Sequence, residues 1–126
     1  MQTRSQQNSE FVYRQIKTLL DEGNLIEMQR KQYGALCHRF PIMVLRNGLI
    51  QTMAYLEAKG NTESAHLSLY MHLRDYLTES GQPVNLQRCD LSKYQDYTRR
   101  ILGAAIWYKR YAESILNVSA GEDGEQ

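Results

Sequence analysis

The stretch Tyr94–Leu116, YQDYTRRILGAAIWYKRYAESIL, decides the fold. Within it Tyr94, Tyr97, Ile101, Ala104, Tyr108, Tyr111 and Ile115 recur at alternating spacings of three and four residues, which is one apolar stripe on a helix. Ala105, Ala112 and Leu116 widen the stripe, so this helix is expected to have neighbours along its whole length. Asp90 or Ser92 can cap its start, and it should run to about Asn117. A long C-terminal helix through the centre of a bundle is the natural architecture.

The rest of the chain carries the same periodicity. Val12, Ile16, Leu19 and Leu20 mark a first helix that Gly23-Asn24 should stop. Its outer face pairs Glu10 with Arg14 and Lys17 with Asp21, one turn apart. A second helix, from about Ile26 to Arg46, turns Ile26, Tyr33, Leu36, Cys37, Phe40 and Val44 inward. Pro41 should kink or interrupt it, since proline removes one hydrogen bond and crowds the preceding turn. After Asn47-Gly48, a short third helix carries Leu49, Met53 and Leu56 to Gly60. Asn61 or Thr62 can cap a fourth, with Leu67, Tyr70, Leu73 and Leu77, before a loop through Ser80-Gly81-Gln82-Pro83 to about Asp90. The expected fold is all-α, a compact bundle of about five helices without a sheet. Residues 1–120 would form one domain and residues 121–126 a disordered acidic tail.

The chain is long enough at 126 residues to bury a core without staples. No stretch approaches the ~20 apolar residues of a membrane span. Met1–Glu10 lacks a signal peptide's apolar segment, so a cytoplasmic location is expected. Cys37 and Cys89 stand apart and outside any C-x-x-C pair, which suits two reduced thiols and no zinc site.

The formal net charge of +1 conceals an uneven distribution. Setting aside Glu122, Asp123 and Glu125 leaves 15 bases against 11 acids. Residues 26–60 and 92–120 each carry five bases and two acids, whereas residues 61–91 carry two bases and four acids. Such segregation gives a one-sided field that favours an anionic partner.

Chemistry is harder to find. His66 and His72 are about 240° apart on a helix and do not share a face. Adjacent residues point about 100° apart, so Cys37 and His38 are poorly placed as nucleophile and base. Asp75 and Glu79, one turn apart, lack a third metal ligand. Gly48, Gly60 and Gly81 stand alone and read as helix stops, not a phosphate loop. A non-enzyme without metal or cofactor is expected.

Basic and aromatic residues remain. On the second helix Lys31, Arg39 and Arg46 gather on the face opposite the apolar stripe, with no acid evident there to offset them. Most of the nine tyrosines lie on apolar stripes and belong to the core. Trp107 lies off its stripe, one heptad after Arg100 and three residues before Arg110. It could stack on a nucleobase, cover a neighbouring subunit, or be buried by an adjacent helix.

Three stretches add a resemblance. Tyr33–Pro41 leads into Arg46–Leu56, with its Asn47-Gly48-Leu49 turn; His66–Leu73 follows; Thr98–Ala112 contains Trp107-Tyr108-Lys109-Arg110-Tyr111-Ala112. In order and spacing they resemble the small-subunit family of the type III-B CRISPR (Cmr) RNA-silencing complex. The resemblance implies a helical, non-catalytic protein that stacks in several copies beside the backbone subunits, which grip the guide RNA and cleave the target. It implies as partners the other Cmr subunits, further copies of this chain and target RNA, and no membrane. By position it adds Lys17, Arg39, Lys109 and Arg110 as RNA-contacting bases; Arg46 rests on the helical wheel. The short Ser80–Leu91 loop departs from longer versions in archaeal relatives.

Three functions follow. The first is an RNA-binding structural subunit that contacts phosphates through Lys17, Lys31, Arg39, Arg46, Lys109 and Arg110, with Trp107 stacking or meeting a subunit. The second is a protein-only adaptor in which the basic stripe meets the acidic 61–91 segment of another copy. The third is a small nuclease, against which the missing motifs count.

Overall fold

The computed structural model describes residues 1–22 and 26–121. They form helices α1 (Arg4–Asp21), α2 (Glu27–Asn47), α3 (Leu49–Lys59), α4 (Ser64–Tyr76) and α5 (Leu91–Ser114), with strands β1 (Thr78–Glu79) and β2 (Gln82–Pro83) between α4 and α5. The expected Gly23-Asn24 stop and the acidic residues after Gly121 lie outside the described residues.

The helix boundaries have local causes. Thr3 and Gln6 form a reciprocal capping box that starts α1. Gly48, at φ +89°, lets α3 begin directly after α2, and Thr52 returns both its N–H and its hydroxyl to the Gly48 carbonyl. Asp90 caps α5 by accepting from the Lys93 N–H at 2.9 Å.

Four details depart from the sequence reading. Helix α2 passes through Pro41 without interruption. Cys37, Phe40, Pro41 and Val44 are all buried around it, and that packing offsets the lost hydrogen bond. The residue capping α4 is Glu63, not Asn61 or Thr62. Thr62 instead closes the end of α3, directing its N–H and hydroxyl to the Lys59 carbonyl. The loop after α4 holds a two-residue antiparallel ladder, Thr78 with Pro83 and Glu79 with Gln82, so a sheet does occur, although outside the core. Its turn places Ser80 and Gly81 at positive φ, the backbone that suits two-residue hairpins. Finally, α5 stops at Ser114, and left-handed Asn117 (φ 59°) turns the chain so that the Val118 N–H reaches the Ala112 carbonyl.

The core sits where α2 meets α5 and α4. Helix α5 packs on α1 and α2, while α2 also packs on α3 and α4, so these two helices share the centre. Phe40 and Tyr108 meet edge to face at 5.6 Å, and Tyr33, Leu36, Ile101, Leu116 and Val118 are fully buried around them. Buried tyrosine hydroxyls find partners. Tyr108 donates to Gln15 Oε1, and Tyr76 to Asn8 Oδ1 at 2.8 Å and the Arg100 carbonyl at 3.1 Å.

Candidate nucleic-acid interface

The outer face of α2 carries Lys31, Arg39 and Arg46, all exposed and within an arc of about 80°. It is not free of acid. Glu27, one turn before Lys31, is held below the usual carboxylate range by its hydrogen bond from Arg30, with Arg30 and Lys31 adding positive charge nearby. The expectation that no acid offsets the stripe is therefore corrected at its N-terminal end. At the other end of the stripe Arg39 and Arg46 flank Ile42 and Leu45, 51% and 70% exposed. Arg39, Ile42, Met43 and Tyr55 line a shallow groove of about 350 Å³ between α2 and α3. The same helical wheel that grouped the bases would have placed Ile42 and Leu45 among them; attention to charge alone missed it.

Helix α5 contributes Lys109 and Arg110, both exposed. The Arg110 guanidinium carbon lies 6.0 Å from the centre of the half-buried Trp107 ring. Trp107 leans on Tyr111 at 5.7 Å and 30°, and Tyr13 of α1 meets Tyr111 edge to face at 5.6 Å. Tyr111 is pinned by a 2.7 Å hydrogen bond between its hydroxyl and that of Ser9. Tyr13 escaped the sequence reading, although it lies off the α1 stripe as Trp107 lies off that of α5.

The six bases thus fall on three helices. Lys31, Arg39 and Arg46 run along α2, Lys109 and Arg110 are neighbours on α5, and α2 and α5 pack together. Lys17 stands on α1 with its ammonium 3.7 Å from Asp21, the one-turn pair its spacing suggests.

Cys37, His38 and Glu79 are occupied with holding the fold. Burial pushes the Cys37 thiol up, which keeps it protonated and unreactive. His38 Nε2 lies 2.9 Å from the Val118 carbonyl. Glu79 is not on a helix with Asp75, because α4 ends at Tyr76. It accepts from the Tyr97 hydroxyl at 2.9 Å and from Arg100 at 3.3 Å, and these hydrogen bonds, Tyr97's first, hold its carboxyl low. Among the described residues no three His, Cys, Asp or Glu side chains converge as a metal site. None of the helices among them is long and apolar enough to cross a membrane.

Comparison with known proteins gives this geometry a setting. The family model described as CRISPR-associated protein (Cas_Cmr5) matches residues 4–115, from the first residue of α1 to just past the end of α5. The chain belongs to this family. A relative from Thermus thermophilus, the CRISPR system Cmr subunit Cmr5, is 29% identical over 126 positions, covering 92% of this chain and 98% of that protein. The resemblance to the Cmr small-subunit family drawn from Tyr33–Leu56, His66–Leu73 and Thr98–Ala112 is thereby established.

Proposed function

We propose that the chain is a non-catalytic structural subunit of a type III-B CRISPR effector that stacks in several copies and follows the target RNA backbone. Family membership supports the effector, and the exposed run Lys31, Arg39 and Arg46 on α2, with Lys109 and Arg110 on α5, supports the contact. Ammonium and guanidinium groups attract phosphates whatever the base, so the subunit adds affinity and leaves sequence choice to guide–target pairing. Lys17 belongs to the same set, weakened by Asp21. Each contact is modest, and several copies along one strand add up through multivalency. The work takes place in the cytoplasm, beside the other Cmr subunits.

Exposed Ile42 and Leu45 favour a second reading, in which the α2 face meets a protein neighbour. Binding of single-stranded RNA across a salt series separates the two. If about five phosphates are contacted, log affinity falls by roughly 3 to 4 per tenfold rise in salt. No measurable binding at low salt would favour the protein-only adaptor.

A further inference from the structure

The groove where α1 crosses α5 has a chemistry that the phosphate contacts leave unused. Trp107, Tyr111 and Tyr13 form its aromatic wall, and Ser5, Gln6 and Ser9 of α1 supply hydroxyl and amide groups along its rim. At about 300 Å³ it lies at the small end of ligand clefts, which run from roughly 300 to 1,000 Å³. Its wall is pre-set, since the Ser9 hydroxyl fixes Tyr111, and Tyr111 supports Trp107 from one side and Tyr13 from the other. Arg110 brings a cation to the Trp107 ring. The acid at the groove, Glu10, is held by Arg14 at 2.8 Å, which tempers its repulsion of phosphate.

We propose that this groove is a stacking site for one unpaired nucleobase of single-stranded RNA, with Trp107 as the platform and Arg110 meeting the adjoining phosphate. The inference rests on the RNA-binding reading and deepens it from backbone contact to base contact. A flat π-face beside a guanidinium is what sequence-tolerant single-strand binders use, because every base offers a ring to stack. Hydroxyls and amides along the rim suit a polar base edge better than an apolar protein side chain, although the Ser9 hydroxyl is already bonded to Tyr111 and Gln6 Oε1 to the Thr3 N–H.

Trp107 is the single tryptophan of the chain, so its emission reports on the groove directly. The purified subunit is titrated at low salt with a short uridylate oligomer and with an abasic ribose-phosphate oligomer of equal length, both end-labelled for anisotropy. The base-bearing strand should bind roughly tenfold more tightly than the abasic one and change the Trp107 emission, which the abasic strand should leave alone. Trp107→Ala should erase the difference between the strands, and Trp107→Phe should keep most of it. If both strands bind equally and the emission stays constant, base stacking is refuted while backbone binding stands. If neither strand binds, both readings fall together. An emission change produced by the other effector subunits and not by RNA would make the groove a protein contact and overturn the proposal.

Discussion

The hydroxyl of Tyr33 on α2 lies 2.6 Å from Nδ1 of His72 on α4, with the two rings edge to face at 5.5 Å. Burial keeps the Tyr33 hydroxyl protonated and pushes the His72 imidazole down to about 4, so the two meet as neutral groups and the histidine tautomer decides which of them donates. Unfolded, the same histidine would titrate near about 6.5. Its folded pKa being the lower, this pair's contribution is complete above about 6.5 and is lost as the pH falls toward about 4. Urea unfolding at pH 7 and pH 5 should show wild type losing about 2 kcal/mol more than His72→Gln over that interval. Equal losses in the two proteins would mean that His72 is not held neutral by the fold.

A second prediction concerns the seam between α2 and the segment that follows α5. A Cβ at Gly34 would stand 2.5 Å from Cβ of the fully buried Val118. Gly34→Ala should therefore destabilise by about 1–3 kcal/mol, although alanine is the better helix former. Adding Val118→Ala should recover only a small part of the loss, because it removes the methyls at 2.6 and 2.9 Å and leaves the Cβ at 2.5 Å. A single variant that melts with wild type would show that Val118 does not pack there.

Much of this architecture was legible because helical spacing reports burial. The three-and-four pattern from Tyr94 to Ile115 located α5, and Asn47-Gly48 marked a real break with a positive φ. Pro41 misled, because the lost hydrogen bond and the crowded preceding turn are local effects, which the packing of Phe40 and Val44 offsets. Glu79 misled likewise; its spacing from Asp75 implied one helix, while Ser80-Gly81 favoured a hairpin turn. The bases were easily placed on faces, but pairing one helix with another needs tertiary structure. That is why the groove joining Tyr13 and Trp107 went unseen in the sequence.

Ile101 is fully buried in the centre of α5. Ile101→Asp would bury a carboxylate without a partner and should leave the chain unfolded at room temperature. Circular dichroism checks this; a cooperative melt near that of wild type would place the α5 stripe elsewhere.

The proposed absence of catalysis is tested by incubating the pure protein with RNA and with DNA, with and without divalent metal. Both substrates should remain intact. Cleavage that disappears in His38→Ala would overturn the non-catalytic reading, despite the bond of His38 to the Val118 carbonyl.

The central claim is that exposed bases on α2 and α5 help to hold target RNA. Its most direct test compares effector complexes reconstituted with wild-type subunit or with Arg39→Glu/Arg46→Glu/Arg110→Glu, measuring target RNA affinity across a salt series. The account predicts normal assembly, weaker binding at low salt and a shallower dependence on salt, because fewer counterions are released. A variant complex that assembles normally and holds target RNA as tightly as wild type at every salt concentration would contradict it.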